Sequence, residues 1–497
     1  MRPAKRLSAA LLWGSATACG TPVVTTSVPV VVPQPMAAAN DLTRPPALGA
    51  PPALSAPPIV TRQLSNGLRI IVVEQHELPL ADVILQMRTG GEADPAGKPG
   101  TAAFTAAMLM EGTPTRTALQ IDDQQAFLGA SVGAGSGWEQ SSISLHTPTA
   151  QLDSALALLA DIAVRPVFPA ADLERVRRTR LTTLQQARDR GPTIADRAYA
   201  AALYGSDNPY GRPLAGTETS IASLTRDDLV RFYTTFYRPN NGTLLVVGDV
   251  QPDDVERRAQ ALFGAWTQGK VPATTTATAA RAKATTLVLV DKPGAAQSSF
   301  RIGGIGAARS TSDYFALQVM NTLLGGSFSS RLNQNLREEH GYTYGANSGF
   351  SLRRSAGPFT ASAEVVTAKT DSALIEFMKE LRSIRDTVSA TELERAKRYL
   401  QLGMPQNFET TGGIAGQLLP LATYDIPLDF YNTAVQRIDA VTQADVQRVA
   451  RQYIDPAKLT LVIVGDRKVI EPGLRALKPG EIVIRDARDV LGAPPTP

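Results

Sequence analysis

Two segments of the chain repeat one another in register. SLTRDDLVRFYTTFYRPNNGTLLVVGDV, residues 223–250, parallels AVTQADVQRVARQYIDPAKLTLVIVGDR, residues 440–467. Thr225 and Thr442 are 217 residues apart, as are Asp249 and Asp466. Each copy reads as a helix opened by a Thr N-cap with Asp three residues on, a variant of the capping box. The helix runs to an aromatic, Tyr237 or Tyr453. A turn with Pro239 or Pro456 follows, and then an apolar strand that ends at Gly-Asp. Chance similarity does not hold register through a helix, a turn and a strand, so the chain is a duplication of one α+β unit.

Strand signals open both copies: residues 66–75 and 81–90 in the first, 286–291 and 298–306 in the second. The predicted domains are residues 61–275 and 276–480, joined near the Ala/Thr-rich stretch 272–286, with residues 481–497 as a tail. A chain of 497 residues is long enough for two or three cores. Its 50 basic and 46 acidic residues are interspersed, and nothing in that pattern suggests nucleic-acid binding.

The first 19 residues read as a secretory signal: Arg2, Lys5 and Arg6, then an apolar stretch from Leu7 to Trp13, then small residues up to Ala18. Cys19, the single cysteine, follows directly and resembles the acceptor of a bacterial lipoprotein signal, although Ala16 stands where leucine is usual. Lipidation there would anchor an exported, periplasmic chain to a membrane. Residues 20–60, rich in Pro, Ala, Val and Thr, read as a disordered, semi-rigid tether.

Residues 100–113, GTAAFTAAMLMEGT, resemble the zinc helix of the pitrilysin/insulinase metallopeptidases, which reads GxxHxxEHxxxxGT. So do the duplication and the segment LGGSFSSRLNQNLREEHGYTYGANS, residues 324–348. The likeness spans about residues 60–480, in the branch that includes the mitochondrial processing peptidase. It implies two homologous α+β domains, each an antiparallel-rich sheet packed with helices, forming one half of a clamshell.

In that family, histidines at i and i+4 share a helix face and bind zinc, and the glutamate at i+3 serves as general base. Here those positions are Ala103, Ala106 and Ala107. The glutamate that completes the ligand set is expected near Gln185 or Gln186, on the helix 172–190. Alanine has no donor atom, so no zinc or other cofactor is expected in this chain. His76, His146 and His340 have no helical ligand spacing. Arginines 175, 177, 178 and 180 read as a solvated face among Asp172, Glu174 and Asp189.

The second copy keeps what the resemblance implies for substrate. Arg337 and Tyr344 match the arginine and tyrosine that related peptidases place opposite the zinc, to bind substrate and stabilise the oxyanion. Tyr342 is the alternative tyrosine. Gly325, Gly326 and Ser327 form a loop that either lets a peptide approach an edge strand or merely joins helix to strand. The expected function is that of a zinc-free subunit of a heterodimeric exported peptidase, inactive alone. An HxxEH-bearing partner would hold the zinc, and peptides would be the substrate. The alternative is a non-catalytic scaffold or peptide-binding protein of the same fold.

Overall fold

The computed structural model describes Gly49, residues 57–274 and residues 279–492. The signal, Cys19 and most of the tether fall outside the described residues. Residues 57–274 and 279–492 belong to one compact unit.

Twelve strands build two six-stranded sheets. The first half supplies β1 (Ile59–Gln63), β2 (Arg69–Glu74), β3 (Leu80–Met87), β4 (Ser131–Ser136), β5 (Ser141–Pro148) and β6 (Gly242–Gly248). The second supplies β7 (Thr286–Asp291), β8 (Gln297–Ile305), β9 (Thr343–Phe350), β10 (Pro358–Val366), β11 (Thr460–Gly465) and β12 (Glu481–Asp486). The orders are β1-β2-β6-β3-β5-β4 and β12-β7-β11-β8-β10-β9. Five strands correspond one to one, as the repeat predicts. The sixth does not: β1 adds antiparallel to β2 from the start of the first half, whereas β12 adds parallel to β7 from the end of the second.

The helices used below are α1 (Thr101–Leu109), α2 (Ala118–Leu128), α3 (Ala170–Ala187), α4 (Gly191–Tyr204), α5 (Arg226–Phe236), α6 (Thr411–Thr423), α7 (Gln443–Tyr453) and α8 (Ala487–Leu491). Both repeat helices carry the expected capping box. Asp228 N donates to Thr225 Oγ1 at 3.2 Å while Thr225 N donates to Asp228 Oδ2 at 2.9 Å. The Thr442/Asp445 pair does the same at 3.1 Å each way. Every residue of β6 and β11 is buried, because each lies inside its sheet with both faces covered.

Two boundaries differ from expectation. β1 begins at Ile59, inside the stretch read as tether, because Ile59–Gln63 pairs with Arg69–Val73. The segment after 480 is no tail: Glu481–Asp486 hydrogen-bonds along β7, and α8 follows it. Each half has its own main core, the first within residues 64–266 and the second within 287–474, but the other face of each sheet is covered from across the chain. The outer face of the first sheet (Ile71, Val73, Leu245, Val247) packs on Ile414, Leu418 and Leu421 of α6, from the second half. Val290, Val462 and Val464 of the second sheet pack on Ile194, Ala198 and Tyr199 of α4, from the first. Tyr199 Oη also donates to Phe359 O at 2.7 Å. The duplicated units have exchanged one covering helix each.

A helix without ligands beside an open edge

α1 is held at its start by Asp94, whose carboxylate accepts Gly100 N at 2.6 Å and Ala102 N at 2.8 Å. Gly100 has φ 91°, and a Cβ there would sit 2.8 Å from Gly216 Cα, so glycine is required. On the helix, Ala103 and Ala107 share a half-buried face and Ala106 is fully buried. None carries a donor atom, and the α1 positions therefore do not fit a zinc ion.

α3 does not repair the loss. Gln185 and Gln186 are both exposed, while Leu181 and Leu184 of the same turns pack on the first core. As neutral amides the glutamines supply no charge to replace a carboxylate ligand. Three α3 arginines turn toward α1 and the residues after it: Arg175 pairs with Glu111, and the Arg177 and Arg180 guanidiniums lie 5.8 and 5.3 Å from the Phe104 ring centre. Arg177 is only 12% exposed and bonds the carbonyls of Ile221, Ala222 and Leu224. The expected solvated face is thus corrected for Arg177 and Arg180, which face inward because Phe104 gives their planar guanidiniums a surface to stack on.

The histidines lie apart. His76 meets Asp249 and Glu74, His146 meets Asp82, and His340 lies 3.9 Å from Glu376. Among the described residues no group of three His, Cys, Asp or Glu side chains is placed to hold a metal ion.

Beside α1 lies the edge strand β4, which the sequence reading passed over. Gly137 N donates to Gln140 O at 2.8 Å, which fixes the pairing of β4 with β5. By the antiparallel alternation, Gly133 and Gly135 bond inward, and Val132, Ala134 and Ser136 turn their backbone groups outward. Val132 N is capped by Gln125 Oε1 of α2 at 2.6 Å. Ala134 and Ser136 remain open to an added strand. The small residues of SVGAGS were the available sequence signal.

The corresponding edge in the second half is closed. In β9, Ser348 N donates to Gly325 O at 3.1 Å and Ala346 N to Asn333 Oδ1 at 3.3 Å. A Cβ on Gly325 would lie 2.3 Å from Ser348 N. The loop Gly325-Gly326-Ser327 therefore approaches the chain's own strand. That overturns its reading as a peptide edge: the nearby donors of β9 are already used.

Arg337 and Tyr344 are both presented outward. Arg337 sits in a π-helical turn, Gln334–Glu339, with its guanidinium 4.7 Å from the Phe328 ring centre and Nε 3.4 Å from Glu338 Oε1. Tyr344, on β9, is 89% exposed. Tyr342 instead packs on the second core and stacks on His340, which removes it as the alternative. Among the described residues no hydrogen bond or ring contact joins Arg337 to Tyr344.

Two models of one peptidase family match in tandem: "Insulinase (Peptidase family M16)" over residues 69–218 and "Peptidase M16 inactive domain" over residues 223–400. The chain belongs to the M16, or insulinase, family. This M16 chain is 26% identical over 397 residues to an uncharacterized zinc protease of Mycobacterium leprae, covering 79% of this chain and 88% of that one. It is 24% identical over 356 residues to another of Bacillus subtilis, covering 70% and 84%. A solved peptidase M16 inactive domain from Pseudomonas fluorescens superposes with a TM-score of 0.77 at 27% identity, covering 82% of this chain and 98% of that one. A protease from Helicobacter pylori gives 0.78 at 20% identity, covering 83% and 100%. The two-half α+β architecture is that of the family, and no HxxEH occurs in the 497 residues of the M16 chain.

Between the halves lies a buried polar cluster that the sequence did not announce. Glu139, at the tip of the β4–β5 hairpin, is 2% exposed and accepts Tyr210 Oη and Arg354 N. Arg353 lies over the rings of Trp138, Tyr204 and Tyr210, at 4.9, 5.7 and 4.4 Å from their centres. Arg354 Nη1 lies 3.6 Å from Glu92 Oε1.

Burial pushes the Glu92 carboxyl up to about 7, opposed by backbone donors and Arg354 and aided by Glu139. Burial likewise raises Asp94 to about 7, against the Ala102 and Gly100 amides and Arg212. Both folded values exceed the ordinary 4.5 and 3.8, so between those values and about 7 the folded chain keeps protons that the unfolded chain has released. Their contribution to stability is full below pH about 4 and is lost as pH rises through about 7. Denaturant titrations across that window should show stability falling with pH, and Glu92→Gln should flatten the slope. A slope that is unchanged in the variant would refute the assignment.

Proposed function

We propose that this chain is the zinc-free subunit of a composite M16 peptidase. An HxxEH-bearing M16 partner supplies metal and general base, and this chain supplies peptide-binding surface together with Arg337 and Tyr344. The observation that carries the reading is the contrast around α1: its ligand positions are alanine, yet the adjoining edge at Ala134 and Ser136 has kept its outward backbone groups. A peptide paired there gains main-chain hydrogen bonds without any metal. The exposure of Tyr344 supports its reaching a group on another molecule, as does that of Arg337, whose side chain is 38% exposed and, among the described residues, ion-paired only with its neighbour Glu338. A guanidinium and a phenol suit an oxyanion that forms opposite a partner's metal.

In this reading the chain is exported and held at the periplasmic face of a membrane by lipidated Cys19, with the Pro-rich segment as tether. The rival reading, a peptide-binding scaffold without a peptidase role, draws on the inactive-domain name of the matched model.

The test is reconstitution. The purified chain should bind no stoichiometric zinc and cleave no peptide, and addition of the HxxEH chain of the same organism should give chelator-sensitive hydrolysis. Arg337→Ala should then lower kcat by about 10²-fold, the scale of losing one oxyanion donor, and Tyr344→Phe should lower it by less. Unchanged rates in both variants would leave the scaffold reading standing. Chelator-sensitive activity from the isolated chain would refute both.

A further inference from the structure

One cavity of about 250 Å³ lies apart from the degenerate metal face, with no α1 residue in its wall. It opens between the end of α3, the outer side of α4 and the segment 211–218, with Trp138 at one end and Leu491 of α8 at another. Most of the wall is apolar: Trp138, Leu184, Ala187, Pro213, Leu214 and Leu491.

The charged groups in the wall are settled, with one exception. Glu218 is taken by Arg188, whose Nε lies 2.8 Å from its Oε1. Asp196 is taken by Arg301 Nε at 2.5 Å. Arg212 donates to the carbonyls of Asp94, Ser206 and Asp207. Arg197 has neither ion pair nor hydrogen bond among the described residues. Burial and the neighbouring Arg188 push its pKa down, and Glu218, already paired with Arg188, opposes them only in part. A half-buried guanidinium beside apolar walls is costly until an anion satisfies it, and its fork geometry suits a carboxylate.

We propose that this cavity binds a small carboxylic acid with an apolar body, the carboxylate on Arg197 and the body against Trp138, Leu184 and Leu214. The volume lies below the ~300–1,000 Å³ usual for drug-sized ligands, so the occupant is fragment-sized. Two sources share this chemistry: a free aryl or alkyl acid, and the C-terminal residue of a peptide that ends in an apolar side chain. The site is independent of the composite-peptidase reading, because it needs neither partner nor metal.

The full chain is titrated calorimetrically with 3-phenylpropionate and its amide, and with a short unstructured peptide ending in leucine as free acid and as amide. At least one acid should saturate the site and bind at least about tenfold tighter than its amide. Arg197→Gln should abolish that preference and Arg197→Lys should keep part of it, both with unchanged circular dichroism and a melting temperature no lower than that of the parent chain. Binding by the phenylpropionate pair alone assigns a free acid, and binding by the peptide pair alone assigns a C-terminus. Equal affinity for acid and amide, an unaltered preference in Arg197→Gln, or no saturable binding by either acid would overturn the proposal.

Discussion

Expressed separately, the halves 57–274 and 279–492 are expected to fail to fold, and to recover when produced together. Each sheet has lost a covering helix to the other half. Without α6, Ile71, Val73, Leu245 and Val247 of the first sheet face water. At about 1.5–3 kcal/mol for each aliphatic side chain fully buried, these four represent about 6–12 kcal/mol. A natural domain has a net stability of about 5–15 kcal/mol. Removal of α4 exposes Val290, Val462 and Val464 in the same way. The check is soluble yield and a cooperative thermal transition, for each half alone and for the pair. A sharp, independent transition in either half would contradict the account. Within the intact chain, Leu418→Ala should cost about 2–5 kcal/mol, and Leu418→Asp should abolish folding, because it sets an unpaired carboxylate against the first sheet.

Glu139→Ala is the second substitution expected to have a large effect. The Glu139 carboxylate accepts Tyr210 Oη, and both of its oxygens lie near Arg354 N, at 3.0 and 3.1 Å. Truncation leaves these donors buried without an acceptor, and it removes the negative charge beside Arg353 and Arg354. A loss of about 3–5 kcal/mol is expected, the scale of breaking a buried charged contact from one side. Glu139→Gln keeps the shape and one acceptor, so it should cost less. Chemical denaturation measures the difference. The Glu139 contacts also connect β4, through its hairpin tip, to the loop that follows β9, so the open edge and the strand bearing Tyr344 are held by one cluster. If both variants lose less than about 1 kcal/mol, the cluster is not the junction described here.

Much of the frame was legible from residues alone. The 217-residue repeat anticipated two sheets with corresponding strands, because capping boxes, turn prolines and all-apolar strands are local signals. The alanines at 103, 106 and 107 were equally plain. How the helix with Gln185 and Gln186 lies was not: both are exposed, and helical phase depends on what the helix packs against. The Gly325 loop failed for a similar reason. Its glycine records a close approach, and the sequence cannot say to which strand.

By itself the sequence determined that this is a duplicated M16 chain whose α1 positions offer no atom to a metal, because those are facts of residue identity and periodicity. The tertiary structure alone decided which edge stays open, which helix covers which sheet, and which arginine of the cavity wall has no ion pair or hydrogen bond among the described residues. Those are contacts between residues far apart in the chain, set by how two folded layers meet, and no local pattern encodes them.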